Sequence, residues 1–419
     1  MQLFLPYGHT ALPFAAPDDA AVLLPRHEAR GDRKDGAALV REAMAHPIGT
    51  PTLRELARGK RTCTLIISDH TRPVPSRDIL PPMLRELREG NPDIDVTLLV
   101  ATGCHRLTTA EELTAKLGSE LAARERIVVH DCTANNVAVG TLPSLAPLFL
   151  DRVAAEADLL VAEGFIEPHF FAGFSGGRKS VLPGVCGRET VLGNHCSAFI
   201  DSPNARTGRL DGNPIHADML AAARLARLAY IVNVVVDEEK RTLAAFAGDF
   251  EAAHRAGCDW LRQRCVVSSP RADIVVSTNG GAPLVQNLYQ CVKGLTAAEA
   301  AARPGGVLIL CAACADGVGG DGFYRALASC ESAAALYDAI LRTPQAKTVP
   351  DQWQSQVLAR VLRAHPVILV TRPELADAVR AMKMTYAASV GEAFSLALRR
   401  VGGAPRVAVI PDGVGVIVE

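Results

Sequence analysis

The feature that most constrains this chain is a series of short, continuously apolar segments that alternate with segments of helical periodicity. Thr62–Ser68 and Asp273–Ser277 are rich in β-branched residues, whereas Ser76–Glu89 repeats apolar residues at helical spacing behind a serine N-cap. Strands that are apolar on both faces are typical of parallel sheets covered by helices on each side. The sequence therefore predicts an α/β fold with mainly parallel sheets.

The length of the chain predicts two domains. Its 419 residues exceed the size of one compact domain, and the stretch Cys265–Arg271, where a predicted helix ends and a new series of strands begins, is the predicted boundary. We expect an N-terminal cofactor-binding α/β domain over 1–268 and a C-terminal α/β domain over 269–404. The last strand, at 405–419, is a segment that the first domain could also include. The active site is expected in the cleft between the two domains.

The charge balance and the cysteines restrict the partners and the compartment. Forty-four basic against forty-five acidic side chains leave no electrostatic reason to expect a nucleic acid or an anionic membrane as partner. The N-terminus lacks the basic and apolar regions of a signal peptide, and no apolar window has the length of a membrane span. Eleven cysteines, an odd number scattered through the chain, favour reduced thiols. We expect a cytoplasmic protein.

Unusual polar residues follow three successive strong strands. Asp69–Pro73 follows the first, Thr102–Arg106 the second and Glu167–Ser180 the third, which together supply an Asp/Arg pair, two histidines and a lysine. Ligands of parallel sheets bind beyond the carboxyl ends of the strands, where these loops would converge. Each residue also has a purely structural explanation, because Asp69 and Arg72 could form a local salt bridge and each histidine could be a satisfied structural side chain.

The segment Gly173–Ser180 is rich in glycine, and successive backbone N–H groups in such a loop can bind a phosphate. The segment is not a Walker A motif, since Gly173 and Gly177 enclose three residues where the motif has four and Arg178 precedes the lysine. A P-loop kinase is therefore not favoured.

Three weaker patterns remain open. Gly317–Gly322 has the G-x-G-x-x-G form, but it lies too far from the preceding strand, so a glycine-rich turn explains it better than a dinucleotide site. Cys311–Cys314 is a C-x-x-C pair without a second pair or a nearby histidine. His195 lies sixteen residues after Lys179 and is a potential ligand for a borderline metal such as nickel, zinc or copper.

A last polar segment, Ser277–Gly294, follows a strand of the second domain and runs into a helix. Within it, Tyr289, Gln290 and Lys293 would share one helical face because of their i, i+3 and i+4 spacing. These side chains can face the cleft; the alternative is that they form the solvated start of a helix.

Taken together, these segments resemble the nickel-pincer lactate racemase family. The elements that carry the resemblance occur in the family's order and span most of the chain: D-x-T-R-P at Asp69–Pro73, G-x-H-R at Gly103–Arg106, P-H-F-F-A-G-F-S-G-G-R-K at Pro168–Lys179, G-N-H at Gly193–His195 and Y-Q-x-V-K-G at Tyr289–Gly294.

The resemblance implies a nickel-pincer nucleotide, a pyridinium-3-thioamide-5-thiocarboxylic acid mononucleotide that holds nickel. Lys179 would be tethered to this cofactor through a thioamide, and His195 would supply the remaining nickel ligand. Arg72 and Lys293 would bind the substrate carboxylate. The residues that would line the cofactor or the substrate are Asp69, Ser175, Gly176, Gly177, Tyr289, Gln290 and Trp353.

The resemblance further implies racemisation of a small 2-hydroxy acid by reversible hydride transfer to the cofactor, with His105 and His169 as the paired general acids and bases. Imidazole titrates near neutral pH and can act in both directions, which contributes on the order of 10²–10⁴ in rate. The implied partners are the enzymes that make the cofactor: a carboxylase/hydrolase, a sulfur transferase and a nickel insertase. No role is assigned to Cys104 or Cys196.

Three other functions remain open at this point. The same cofactor could serve an epimerase of a longer or sugar 2-hydroxy acid. A nickel-cofactor carrier without turnover would need only Lys179 and His195, so the presence of both His105 and His169 disfavours it. A NAD-dependent dehydrogenase is the third alternative.

Overall fold

The computed structural model describes residues 1–26, 35–237, 239–268 and 270–419. The strands are β1 Gln2–Tyr7, β2 Thr10–Ala15, β3 Ala21–Val22, β4 Thr62–Ser68, β5 Asp95–Ala101, β6 Arg126–Val129, β7 Asn136–Thr141, β8 Pro147–Asp151, β9 Leu159–Phe165, β10 Pro168–His169, β11 Gly173–Phe174, β12 Leu228–Val236, β13 Thr242–Gly248, β14 Val266–Val267, β15 Ala272–Ser277, β16 Ala302–Cys311, β17 Val367–Val370, β18 Thr385–Ala387, β19 Val407–Ile410 and β20 Ile417–Val418.

The α-helices are α1 Gly36–Ala45, α2 Leu53–Ala57, α3 Ser76–Gly90, α4 Ala110–Leu117, α5 Ser119–Arg124, α6 Arg152–Ala155, α7 Arg188–Asn194, α8 Ser197–Asp201, α9 Pro214–Leu225, α10 Ala252–Cys265, α11 Leu288–Ala301, α12 Asp321–Ser329, α13 Ala333–Leu341, α14 Gln352–Ala364, α15 Ala376–Ala381 and α16 Val390–Val401. Short 3-10 helices lie at Gly177–Ser180, Gln345–Lys347 and Pro373–Leu375. No helix in the described part of the chain is long and apolar enough to span a membrane.

The described residues form two compact units. The N-terminal unit comprises 35–195 and 203–261, and the C-terminal unit comprises 1–26, 196–202 and 262–419. These limits differ from the expected 1–268 and 269–404. Residues 1–26 lie in the C-terminal unit because β3 pairs in parallel with β19, and 405–419 lie there because β19 pairs with β15. Ser269, at the expected boundary, lies outside the described residues.

The N-terminal unit contains a sheet with the strand order β13-β12-β9-β4-β5-β6, in which only the β13 edge strand is antiparallel to its neighbour. Its central strands bury apolar side chains on both faces, as Leu65, Ile66 and Ile67 of β4 illustrate. Helix α4 begins with a capping box between Thr109 and Glu112, which fixes the helix that follows the β5 loop.

The C-terminal unit contains a fully parallel sheet with the order β18-β17-β16-β15-β19-β3. Helix α8, which directly follows His195 in the chain, belongs to this unit and is held there by side-chain hydrogen bonds. Tyr337 donates to Asp201, and Gln356 Nε2 donates to the Ser197 carbonyl at 2.9 Å. The predicted α/β class, with two units and mainly parallel sheets, is confirmed.

Candidate active site

Three strand-end loops of the N-terminal unit carry predicted site residues. Strand β4 lies between β5 and β9 and runs parallel to both, so the loops after Ser68, Ala101 and Phe165 leave the same edge of the sheet. The expected proximity of the first two loops is confirmed by a hydrogen bond between His105 Nδ1 and Asp69 Oδ2 at 2.8 Å.

Asp69 is a buried carboxylate that orients His105. Burial alone raises the pKa of Asp69, but the hydrogen bond and the charge of His105, the charge of Arg72 and the Thr71 hydroxyl together lower it below its usual value. Because an ionised carboxylate only accepts hydrogen bonds, Nδ1 of His105 must be the donor, and the lone pair of the neutral ring is then on Nε2. The His105 side chain is 46% exposed and therefore accessible to a substrate.

Arg72 lies in the same loop, and the backbone of this loop is held at two points. The Arg72 amide donates to the Asp69 carbonyl at 3.3 Å, and the Arg72 carbonyl accepts from Lys116 Nζ at 3.1 Å. The Thr71 hydroxyl and amide both donate to Asp69 Oδ1, at 2.7 and 3.2 Å. The loop therefore presents Arg72 and Asp69 from one ordered turn.

Three further predicted residues surround the ring of Phe171. The His169 and His195 rings contact it edge-on with centroid distances of 4.6 and 5.3 Å, and Lys179 Nζ lies 5.9 Å from its centroid. Nδ1 of His169 accepts a hydrogen bond from the Ala172 amide at 3.2 Å, so in the neutral ring the proton is on Nε2. The tautomer of His169 is thus the opposite of that of His105.

The loop that carries His169, Phe171 and Lys179 is held in place by Arg178. In the sequence analysis, this arginine served to reject a Walker A motif. Arg178 is fully buried and donates to the carbonyls of Ala172 and Phe174 at 2.8 and 2.9 Å and to His216 Nδ1 at 2.9 Å. Burial lowers its pKa to about 10. Among the described residues no carboxylate pairs with it, so backbone carbonyls stabilise the charge and fix the loop.

The glycine-rich part of this loop does not use its N–H groups as the phosphate hypothesis requires. The Ser175 amide donates to the Glu167 carbonyl at 2.9 Å, and the Gly177 amide donates to Asn233 Oδ1 at 2.6 Å. A Cβ at Gly176 would lie 2.6 Å from the same Asn233 oxygen, so close packing within the protein explains this glycine. At Ser175 and Gly177 the amides bind the protein itself, and there the phosphate-cradle interpretation is wrong.

The protonation state of His195 is the one that a metal ligand requires. Burial, and secondarily the charge of Lys179, lowers the pKa of His195 to about 3, so the ring is neutral at physiological pH. Its Nδ1 donates to the Val191 carbonyl at 3.0 Å, which assigns the lone pair to Nε2. Within the described residues no group of three or more His, Cys, Asp or Glu side chains could hold a metal.

The predicted residues of the C-terminal unit lie at the starts of two helices. Tyr289, Gln290 and Lys293 of α11 are half-buried and lie between fully buried positions, in agreement with the predicted common face. The Tyr289 hydroxyl donates at 2.9 Å to Asp351, the residue before α14, on which half-buried Trp353 is the second residue. Asp351 thus connects the start of α11 with that of α14.

The two weak patterns of this unit have structural explanations. Gly319 has a φ of +90° and a Cβ there would lie 2.5 Å from Asn287, so close packing requires the glycine. Cys314 Sγ lies 4.0 Å from Cys291, on α11, rather than pairing with Cys311. Burial raises the pKa of Cys311 to about 12, which makes it a poor metal ligand or nucleophile.

Comparison with known proteins shows which domains and relatives the chain resembles. Residues 7–208 match the lactate racemase N-terminal domain and residues 267–418 the lactate racemase C-terminal domain. The chain is 49% identical to the lactate racemase of Thermoanaerobacterium thermosaccharolyticum, over 99% of this chain and 98% of that protein. It is 51% identical to the lactate racemase of Lactiplantibacillus plantarum, over 91% and 90% of the two chains.

The structure of the lactate racemase apoprotein from Thermoanaerobacterium thermosaccharolyticum superposes with a TM-score of 0.97 at 48% identity and covers 100% of both chains. A protein from Thermotoga maritima, at 20% identity and a TM-score of 0.65 over 89% of this chain and 100% of that one, shares the fold alone. The chain therefore belongs to the lactate racemase family and is an isomerase of the racemase class.

Proposed function

We propose that this protein interconverts the enantiomers of lactate, or of a closely similar 2-hydroxy acid, with His105 and His169 as the two acid/base residues. The observation that carries the proposal is the opposite tautomers of the two rings: His105 has its lone pair on Nε2, whereas His169 has its proton there. Neutral His105 can therefore take up a hydroxyl proton at Nε2, whereas His169 presents an N–H to the substrate oxygen and returns a proton when its ring is doubly protonated, as inversion at the carbinol carbon requires.

Asp69 supports the role of His105 as a base. As the buried carboxylate accepts from Nδ1–H, it stabilises the imidazolium that forms when Nε2 takes up the hydroxyl proton. The Ala172 amide and the aromatic rings of Phe170 and Phe171 contact the His169 ring. Either ring acts as a base when it is neutral and as an acid when both of its nitrogens carry a proton.

The substrate carboxylate would be bound by Arg72 and Lys293. The planar guanidinium of Arg72 can form two parallel hydrogen bonds with a carboxylate, and the ordered turn around Asp69 and Thr71 holds the backbone from which it projects. An anchored carboxylate allows the reacting carbon to turn while the rest of the substrate stays bound.

The cofactor would be a nickel-pincer nucleotide held by Lys179 and His195. His195 fits the nickel, since its neutral ring has a lone pair on Nε2, and Lys179 lies near it against Phe171. When bound, this cofactor supplies an electrophilic ring that accepts and returns hydride. The residues proposed to line the cofactor or the substrate are Asp69, Ser175, Gly176, Gly177, Tyr289, Gln290 and Trp353; of these, Ser175 and Gly177 would do so through groups other than their amides.

Production of the holoenzyme would require a carboxylase/hydrolase, a sulfur transferase and a nickel insertase. The scattered, odd number of cysteines supports action in a reducing compartment such as the cytoplasm.

The test uses holoenzyme made together with these three enzymes. L-lactate deuterated at C2 should yield D-lactate that retains the deuterium, as measured by chiral chromatography and mass spectrometry. His105→Ala and His169→Ala should each lose at least about 10²-fold in turnover with an unchanged cofactor mass on the protein, whereas His46→Gln, which removes an exposed ring, should not. Deuterium lost to solvent, or near-normal turnover in either alanine variant, would refute the proposal.

A further inference from the structure

Glu163, near the end of β9, joins the two ends of the loop that carries Asp69 and Arg72. Its Oε1 accepts from the Ser76 hydroxyl at 2.7 Å and from the amide and hydroxyl of Ser68, both at 3.3 Å. Ser68 is the last residue of β4 and Ser76 the first of α3, so the two serines flank residues 69–75. One oxygen atom of a neighbouring strand thus fixes both ends of the loop.

The surroundings of Glu163 are polar in a place where the sheet is otherwise apolar. The residue is 1% exposed, and its Oε2 is buried with no hydrogen-bond partner among the described residues. Such a group costs stability, on the order of 1–3 kcal/mol, and is retained where it has a use. The role proposed for the active site in the preceding subsection does not require it.

Lys116 of α4 holds the middle of the same loop. Its ammonium group donates to the Arg72 carbonyl at 3.1 Å, and it also interacts electrostatically with Glu163 and Asp69. Burial lowers the pKa of Lys116, and these two carboxyl groups oppose the shift. Burial likewise raises the pKa of Glu163, and Lys116 opposes that shift most strongly. The ammonium group of Lys116 and the carboxyl groups of Glu163 and Asp69 therefore lie near one another at this loop.

We propose that Glu163 and Lys116 are positioning residues that hold the loop 69–75 at its ends and at its middle, and so set the placement of Arg72 and Asp69. Neither residue needs to touch the substrate. The identity of the positioned side chains as substrate-binding and base-orienting groups rests on the proposed function, whereas the ordering of the loop does not.

The first experiment measures the loop itself in the apoprotein, by hydrogen exchange and mass spectrometry of peptides that cover 68–76. Ser76→Ala removes the shortest contact with Glu163, and Glu163→Leu removes the acceptor altogether. A net hydrogen bond of about 1 kcal/mol predicts about fivefold faster exchange in S76A and more than about tenfold in E163L. Lys116→Met should accelerate exchange about fivefold through loss of the contact with Arg72.

Two variants serve as controls. Glu163→Gln keeps an oxygen that can accept from Ser68 and Ser76, so its exchange should stay within about twofold of wild type. Thr64→Val removes a buried hydroxyl on β4, the strand that ends at Ser68. This hydroxyl donates to the Val153 carbonyl at 2.8 Å and does not contact the loop. The loop peptides of this variant should exchange as in wild type.

The second experiment measures lactate kinetics of the same variants as holoenzymes. Misplacement of Arg72 should raise KM in S76A about fivefold, misplacement of Asp69 should lower kcat as well, and E163Q should keep the wild-type KM and kcat. Wild-type exchange in S76A and K116M, or equal exchange in E163Q and a folded E163L, would overturn the inference. If the wild-type holoenzyme did not racemise lactate but the exchange pattern were as expected, the proposed function would fail and the positioning of the loop would stand.

Discussion

The contact between Asp69 and His105 makes a quantitative prediction about turnover. In the variant Asp69→Asn, the side chain keeps its size, and its one oxygen can still accept from Nδ1 of His105 while its amide nitrogen donates to the Thr71 hydroxyl, but it loses its charge. A hydrogen bond between a donor and a charged acceptor contributes about 1.5–3 kcal/mol, against about 1 kcal/mol for a neutral pair. The substitution therefore removes the part of the interaction that grows as His105 becomes positively charged.

The geometry around Asp69 and His105 decides how much of this difference in hydrogen-bond energy the substitution removes. The Asp69 side chain is 2% exposed and the N–O distance is 2.8 Å, which favours the upper end, whereas His105 is 46% exposed and solvent screens its charge. We expect a loss of about 1–1.5 kcal/mol of transition-state stabilisation, which is roughly a 5- to 13-fold decrease in kcat for racemisation. The assay is the initial rate of D-lactate formation by holoenzyme with verified cofactor mass.

The chain offers a matched control. Asp131 accepts from the amide and hydroxyl of Thr133 at 2.8 and 2.6 Å, the same turn that Asp69 forms with Thr71, but it is only half-buried. Asp131→Asn should leave kcat within about twofold of wild type. Since Asp69 is argued to act through His105, D69N should also have little further effect in an H105A background. Wild-type turnover in D69N, or an equal loss with and without His105, would refute the reasoning.

Two further predictions concern the buried cluster around Arg178. Burial and the charge of Arg178 lower the pKa of His216 to about 3 and that of His254 well below its usual value, so the unfolded chain binds more protons below its histidine pKa of about 6.5. The free energy of unfolding should fall by about 1.4 kcal/mol per ring between pH 7.5 and 5.5 in urea denaturation, and His216→Gln should remove about 1.4 kcal/mol of this fall; an unchanged slope would contradict the assignment. Gly177→Ala places a Cβ 2.7 Å from the His254 ring at a φ of +54°. It should lower the denaturation midpoint more than Gly59→Ala, because Gly59 has a similar φ of +70° but no atom within 4 Å of the added Cβ. Equal effects of the two substitutions would show that only the backbone conformation matters.

Prediction from the sequence succeeded for strands and helices whose bounds follow from the local pattern of apolar residues. The bounds of β4 were predicted as Thr62–Ser68 and are as the structure has them, and α3, predicted over Ser76–Glu89, ends one residue later at Gly90. The edge strand β13, with the alanine-rich sequence TLAAFAG, and the hairpin of β7 and β8 were missed. The residues of β13 are mostly half-buried and of low β-propensity, so pairing with β12, rather than local pattern, determines this strand.

Within the candidate site, the residues that belong to recognisable motifs were found and those that support them were not. Lys116 lies in an ordinary helix, and nothing local distinguishes it from other polar residues. Arg178 lies within a motif, but its partners His216 and His254 come from distant parts of the chain. A signal for Glu163 was available in the position of a carboxylate inside an apolar strand, where burial is costly unless it is compensated.

The sequence by itself determined the α/β class, most strand and helix positions and the identity of the residues that could carry chemistry, because apolar periodicity and side-chain chemistry are local properties. Only the tertiary structure decided which ring nitrogen of His105 and His169 has the proton, where the N–H groups of the glycine-rich loop are used, and that residues 1–26 join the C-terminal unit. These outcomes depend on hydrogen bonds between residues far apart in the chain, and the energy of such a bond depends on a distance and a burial that arise only when the strands have paired.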